Sequence, residues 1–547
     1  MATTPNALGG FELMRYKVGI LVLAAVLPGV QARAQAGAGP QAMARVFDVT
    51  AYGAKRDGST PATGAFARAI AAAKAAGGGT VYVPAGHYQS GPIELVSHLR
   101  LEFDAGAIVV FPAQMLPLTN GRQQGIETLT PVPLIGGHDL EDVQVVGAGT
   151  LVSNNADWMK LHGRIKPGAG NELGSANGDN WEKLLLDLEA HKTISEAQYT
   201  AAAEELRPSF VRFMNSKDVV VDGLHFEGSP MWTVHLLYTQ NAVVRNVVIE
   251  TYPGVHTDGI VVDSSRFVHL TDDYIDTGDD GIVIKSGKDA DGLRVNRPTE
   301  DVTITGCTVH HAHGAVTIGS ETSGGVRNIV ASNMTAVDTE AGIRIKSRRG
   351  RGGVVSNLRF SNWTMRNVGK AIEVTNFYMM EGETKETRVA MPKSATTPAF
   401  ENIAINGVTI DGAKQLIDVD GLPESPIDGL RISDVIGAGT LGAHLVHASG
   451  LELHNVQLNV EKGPAFLVED CPEVELDHIA SRKLAKDEPV VRMERSAGAI
   501  VRNSRTFAGV GSDVLLSVAP KMKGMLTTED LVASPDRSVV YGDEHTK

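Results

Sequence analysis

Cysteine is nearly absent: the 547 residues hold only Cys307 and Cys471. That excludes a disulfide-stapled scaffold, and the pair forms no C-x-x-C metal or redox motif. Whether the two bridge one another outside the cytoplasm is left open. Aromatics are scarce at 5% of residues, and basic residues lag acidic ones, 50 Lys and Arg against 64 Asp and Glu, for a formal charge of −14. Such an acidic chain makes a poor general nucleic-acid binder. Long hydrophobic runs are missing too. The best, "VGILVLAAVL" near the start, is too short for a comfortable membrane span.

That run is better read as part of an export signal. Arg15 and Lys17 precede it, and Ala32-Arg33-Ala34 forms an A-x-A cleavage site. Residues 1–34 are expected to be removed, with Met14 a plausible true start, which would take the charge to about −16. An uncleaved anchor is the alternative. Residues 35–547 would then be a single exported domain, periplasmic or extracellular, with no membrane contact after cleavage.

Glycine is abundant, at 59 residues, as expected of a chain with many turns. It punctuates a recurring phrase: alternating apolar positions followed by Asn, Asp or Gly. Copies include "DVQVVGAGT" from Asp142, "DVVVDGLHF" from Asp218, "NAVVRNVVI" from Asn241, "DVTITGCTV" from Asp301, "NLRFSNWTM" from Asn357 and "NIAINGVTI" from Asn402. Successive starts differ mostly by roughly 21 to 34 residues, the period of a solenoid. Short β-runs without helical periodicity predict an all-β, right-handed parallel β-helix. Leucine-rich repeats share the period, but their L-x-x-L-x-L signature is absent.

Two stretches break the pattern early. "STPATGAFARAIAAAKAAGGG" reads as a helix begun by Thr60-Pro61 and stopped by Gly77 to Gly79, a cap for the open apolar end of the solenoid. An insertion near 153–207 contains "TISEAQYTAAAEELRP", with Thr193 and Glu196 spaced as a capping box and Pro208 as the stop. A second insertion is expected near 378–400. Long insertions on one side of a solenoid usually build its binding face.

The charged motifs fall on the same ladder. Asp258 in "HTDGIVVDSS" lies about 21 residues before Asp279 in "GDDGIVIKS"; His313 follows about 34 later and Arg344 about 31 beyond it, each step near one coil. Stacking would put them on one face, on the order of 15 Å long at about 4.8 Å per rung. Asp258, Asp279 and Asp280 would crowd together, so one should be pushed to a raised pKa. A neutral carboxyl beside ionised ones is the acid–base pair that glycoside hydrolysis needs. Because strand neighbours point to opposite faces, a bend near Gly278 must bring Asp279 and Asp280 to the same side. In "RIKSRRGRGG", Arg344 and Lys346 alternate with apolar residues and so share a face. Arginine suits carboxylates, which favours an acidic sugar over a neutral one. Some of Arg348, Arg349 and Arg351 are expected to lie in a solvated loop.

"TDG", "GDDG", "HG" and "RIK", in that order and one coil apart, resemble the active-site signature of glycoside hydrolase family 28, the polygalacturonases and their relatives. "FDVTAYGAKRDG", "GGGTVYVPAGHY" and "SPMWTVHLLY" resemble further phrases of that family, so the likeness spans nearly the whole mature chain. The resemblance implies a pectin-lyase-like β-helix and an inverting hydrolase of α-1,4-galacturonosyl linkages, acting on pectic polysaccharide or oligogalacturonides without a cofactor or metal. Asp279 would be the general acid, Asp258 and Asp280 would hold and deprotonate water, and His313 would tune the acid. Arg344 and Lys346 would bind a galacturonate carboxylate, and Tyr378 would contact the sugar.

Three positions depart from the family's pattern: His256 stands for Asn, Gly281 for Cys and Ala312 for Gly. His256 is thereby expected to alter a subsite or add local positive charge. The insertions and "TIGSETSGG", which resembles exo-acting members, point to attack from chain ends; a substituted pectin such as xylogalacturonan is a close variant. Two further readings share the fold. A lyase would use the three carboxylates to hold Ca²⁺, and a non-catalytic glycan-binding solenoid would use no acid at all.

Overall fold

The alternating apolar runs become stacked parallel strands in the computed structural model, which describes residues 45–163, 178–190, 192–379, 387–507, 515–532 and 539–541. The stretch expected to be an export signal, residues 1–34, lies outside the described residues. Each coil contributes up to three strands, and three parallel sheets run the length of the molecule. Sheet A includes Lys217–Asp222, Gln240–Arg245, Arg266–Thr271 and Thr299–Thr305. Sheet B includes His225–Glu227, Val248–Glu250, Tyr274–Asp276 and Thr308–His310. Sheet C includes Val234–Leu237, Ile260–Asp263, Ile282–Lys285, Val316–Gly319 and Ala341–Lys346. In the later coils the strands fuse into longer ones such as Val354–Thr375 and Ala399–Asp420.

Registry follows from burial. Val219, Ala242, Val268, Val302 and Ile329 are partners on successive rungs, and all are buried in one continuous apolar core. A one-residue slip would turn that whole column to solvent. The Asn, Asp and Gly of the repeat have an equally local cause. At the corner between sheets A and B the chain turns through a left-handed residue on every described rung from Gly223 onward: Asn246, Asp272, Gly306, Asn333, Asn362, Gly407, Asp434, Asn455, His478, Asn503 and Asp530 follow it. Glycine meets no Cβ penalty there, and Asn and Asp tolerate the conformation best among the rest.

Helix α1 (Thr63–Ala75) buries Ala65, Phe66, Ala69, Ile70 and Ala73 against the first coils, as a cap should. It begins at Thr63 rather than at Pro61, and ends where the Gly78 amide donates back to the Ala73 carbonyl, 2.9 Å. The first insertion carries α2 (Asn155–Leu161), α3 (Asp179–Glu189) and α4 (Glu196–Ala203). The capping box of α4 is Ser195 with Gln198, not Thr193 with Glu196. The Ser–Gln pair has the same three-residue spacing two positions later, and α4 stops before Pro208. Trp181, Leu184, Ala202 and Leu206 form a small core of their own with Ile126.

Ile126 belongs to an antiparallel hairpin, Leu118–Gln123 with Ile126–Pro131. Two contacts fix that hairpin. The Trp181 indole donates to Gln124 Oε1 at 2.6 Å. Arg122, fully buried, donates to Asp263 Oδ1 at 2.7 Å and to the Ser264 hydroxyl at 2.8 Å. Cys307 and Cys471 are both buried free thiols, so the open question of a bridge closes against it. Arg351 is 2% and Arg348 7% exposed, and Arg349 pairs with Glu424. The basic run is therefore packed and paired rather than a solvated loop, because acidic residues of neighbouring loops meet it.

Candidate active site

The acidic residues sit in the turn that leads from sheet B into sheet C. Asp279 and Asp280 precede the strand Ile282–Lys285 instead of lying in it, so strand alternation does not separate them, and both face one cavity. The Asp280 amide donates to Asp279 Oδ1 at 2.7 Å, which closes the turn. The expected bend is present. The alignment between coils differs from the sequence reading at two steps: by one residue between Asp258 and Asp279, and by four at Arg344, which pairs with Thr317 rather than standing level with His313. The Gly259 amide bonds the Asp280 carbonyl, putting Asp258 level with Asp280, whereas the His313 amide bonds the Asp279 carbonyl. Nearby rungs pack closely: a Cβ on Gly281 would lie 2.5 Å from Val309 Cγ1 and 2.9 Å from the Ala315 carbonyl oxygen. Here the chain has no room for any side chain.

Each carboxylate has a different set of partners. Asp280 accepts from the Thr317 hydroxyl at 2.8 Å and from Lys346 Nζ at 3.0 Å. Asp279 faces His313 Nδ1 at 3.2 Å. Asp258, buried, has Lys285 Nζ at 3.7 Å, and Lys285 also meets Glu321 at 3.3 Å. One oxygen from each of the three carboxyls lies within 4.8 Å of the others. Burial, then the charge of Asp279, raises the Asp258 carboxyl well above its usual range. Burial would raise Asp279 as well, but the His313 hydrogen bond and the charge of that imidazolium hold it low. His313 in turn rises to about 9, first through its bond to Asp279 and against partial desolvation. One raised carboxyl was expected among the trio, with no member singled out, and the family resemblance gave the acid's role to Asp279. In the resting enzyme the raised one is Asp258, the more enclosed of the two and the one without an imidazolium beside it.

Beyond this cluster the cavity, about 270 Å³, is lined by inserted elements. The hairpin supplies Gln123 and Gln124, α3 supplies Glu182, Leu185, Leu186 and Glu189, and Lys288 and Asp289 stand at the start of α5 (Asp289–Val295). Trp232, Lys285, Ser320, Glu321, Lys346, Tyr378 and Met379 complete the lining with His256, His313 and the acidic trio. The residues 380–386 of the second insertion lie outside the described residues. Tyr378 lies beneath cations, its ring 4.6 Å from Lys346 Nζ and 5.5 Å from the Arg344 guanidinium.

Several assignments need correction. Arg344 points out of the sheet as expected, but its Nε pairs with Glu373 Oε2 at 2.8 Å and it does not border the cavity. Lys346 does border it, yet its ammonium is already engaged by Asp280. His256 adds no positive charge: burial, with Arg207 nearby, lowers it to about 4 against the pull of Asp279, so the ring is neutral. Sequence reasoning passed over Lys285, Glu321 and Trp232, although all three stood in quoted phrases. Lys285 was legible, since it alternates with Ile284 and so faces outward on the strand beside Asp280. It and Lys346 are two rungs apart in one column with Gly319 between them. Trp232 packs over it, with Nζ 4.8 Å from the ring.

The donor set could hold a hard cation by its three carboxylates alone. Two ammonium groups, Lys285 and Lys346, already neutralise it at 3.7 and 3.0 Å. A divalent ion would have to displace them, so the residues fit an acid–base site better than a Ca²⁺ site.

Similarity to known proteins agrees with this chemistry. The family described as Glycosyl hydrolases family 28 matches residues 189–447, and one described as Rhamnogalacturonase A/epimerase, pectate lyase-like, matches 46–112. The chain is 27% identical over 398 residues to a probable polygalacturonase of Vitis vinifera, covering 70% of this chain and 72% of that one. It is 25% identical to an exo-poly-α-D-galacturonosidase of Dickeya chrysanthemi, covering 70% of this chain and 65% of the relative. Among solved structures, an exopolygalacturonase of Thermotoga maritima superposes with a TM-score of 0.67 at 30% identity, over 76% of this chain and 92% of that one. A family 28 exopolygalacturonase of Yersinia enterocolitica, 20% identical with a TM-score of 0.57 over 91% and 77%, shares the fold. A parallel β-helix that brings Asp258, Asp279, Asp280, His313, Lys285 and Lys346 to one cavity, with these relatives, makes the chain a glycoside hydrolase belonging to family 28.

Proposed function

We propose that the enzyme is an exported hydrolase of polygalacturonate or its oligomers that removes units from chain ends with inversion. The observation that carries the reading is the acidic cluster, one oxygen of each carboxyl within 4.8 Å of the others, on the floor of a cavity bordered by the hairpin and α3. Asp258 and Asp279 share a proton as one coupled pair. Passing it from Asp258 to Asp279 creates both reagents at once: a neutral Asp279 to protonate the glycosidic oxygen, and an ionised Asp258 to act with Asp280 on water. His313 steadies the charge on Asp279 before it takes that proton and again after it has given the proton to the leaving oxygen. Nearest carboxyl oxygens within 4.8 Å are closer than the roughly 6.5 to 9.5 Å between the two carboxyl groups of most inverting enzymes. Inversion here therefore needs the water to sit beside Asp258 and Asp280 rather than across a gap. An ammonium has three donors, so Lys346 retains capacity for a sugar carboxylate while bound to Asp280.

Digestion of polygalacturonate tests this. Release of monomer with slow loss of viscosity, and proton NMR showing the β-anomer first, support it. Rapid loss of viscosity rejects end attack, and a first-formed α-anomer rejects inversion. Ultraviolet-absorbing unsaturated product that disappears on chelation would replace the hydrolase by a lyase. A second reading follows from the engaged state of Arg344 and Lys346 and the acidic Glu182, Glu189 and Asp289 on the lining. These favour a less charged, substituted pectin such as xylogalacturonan, for which the rate should then exceed that on polygalacturonate.

A further inference from the structure

The left-handed corner column breaks its rule once. Every described rung from Gly223 to Asp530 carries Gly, Asn or Asp there, except His478, at φ 56°. Histidine has a Cβ and gains less from that conformation than the residues around it. Directly beside it stands Asp477, whose strand partner on the preceding rung is His454. His478 Nδ1 lies 2.8 Å from Asp477 Oδ1 and His454 Nδ1 lies 3.1 Å from Asp477 Oδ2. The two rings meet edge to face at 5.5 Å. A ring nitrogen from each histidine and a carboxylate oxygen all fall within 4.8 Å of one another, on the outer surface of the solenoid and with both imidazoles exposed.

We propose that His454, Asp477 and His478 form a binding site for a divalent transition metal of the zinc type, linking two coils near the C-terminal end. Two imidazoles and one carboxylate, with solvent free to supply the fourth position, match the ligand preferences of Zn²⁺. Hard Ca²⁺ and Mg²⁺ prefer an all-oxygen set and are not expected to bind. The remaining contacts of Asp477 limit the affinity: Asn503 Nδ2 donates to Oδ1 at 2.9 Å, and Arg502 Nε lies 3.4 Å from Oδ2. Arg502 also pairs with Glu475, which lessens its pull on the site. The site lies on sheet A, away from the cavity of the acidic trio, which is bordered by other residues.

Zinc titration by calorimetry, with thermal unfolding in zinc and then in EDTA, tests the proposal. One zinc per chain and a rise in Tm that EDTA reverses are expected, with no response to Mg²⁺. His478→Asn installs a residue the column uses on other rungs, so the fold should be kept. It should lower zinc affinity by on the order of tenfold or more and leave the hydrolysis rate unchanged. His454→Ser should do the same. Unchanged zinc binding in both variants, or no binding in the parent chain, overturns the site.

Discussion

Replacing Lys346 by Met strips the ammonium from Asp280 and leaves the carboxylate with the Thr317 hydroxyl as its remaining side-chain partner. The pair is buried, 6% and 3% exposed, with 3.0 Å between Nζ and Oδ2. At an effective dielectric of about 20 the attraction at that distance is roughly 5 kcal/mol, and breaking one side of a buried pair typically costs about 3–5 kcal/mol. Unfolding entropy of about 2 cal/mol/K per residue, over roughly 500 residues, makes each kcal/mol worth about 1 °C. Thermal unfolding should therefore show Tm lower by about 3–5 °C. The double variant Lys346→Met, Asp280→Asn should regain most of that loss while remaining inactive, because the stranded charge has gone and the base with it. Breaking an exposed pair such as Lys217 with Glu141 should leave Tm almost unchanged by the same assay. A Lys346→Met protein as stable as its parent, or a double variant as unstable as the single, would refute the reasoning.

Other consequences are tied to protonation and packing. Asp273 is 2% exposed, and burial pushes its carboxyl up to about 8. The folded protein then binds a proton that the unfolded chain has lost above about pH 4, so stability falls with rising pH up to about 8, at about 1.4 kcal/mol per pH unit. Asp273→Asn should match the parent in Tm near pH 4 and exceed it increasingly toward pH 8. His313 works from a raised imidazole: its pairing with Asp279 is fully present below about pH 6.5 and is lost as pH rises through about 9. The Tm advantage of the parent over His313→Gln should shrink across that window. Arg122→Met should loosen the hairpin that carries Gln123 and Gln124, raising KM more than it lowers kcat.

Much of the solenoid was written in local chemistry. Alternating Val, Ile and Leu set the inward faces, and the Asn, Asp and Gly of each phrase proved to be left-handed corner residues. The acidic trio was legible because turn residues recur with the coil period. Its exact register was not, since a one-residue offset at a turn leaves the apolar pattern of the strands unchanged. The fates of Arg344 and Lys346 were also hidden. Glu373 stands directly opposite Arg344 on the next coil but outside the quoted motifs, whereas Asp280 lies two coils before Lys346, a pairing that depends on side-chain reach rather than on spacing. Likewise the asymmetry that puts the raised carboxyl on Asp258 comes from burial and the His313 ring, neither of which a list of aspartates reveals. The α4 cap was missed for a smaller reason: two overlapping box patterns begin within "TISEAQ", and only one of them has the serine.

The central claim is that the coupled acidic cluster performs the hydrolysis, with Asp279 delivering the proton. Initial rates of reducing-sugar release from polygalacturonate by Asp279→Asn, with circular dichroism confirming an unchanged fold, test it most directly. The account predicts a fall in kcat on the order of 10² to 10⁴ with KM little altered. An Asp279→Asn enzyme that hydrolyses the polymer at the parent's rate would contradict it.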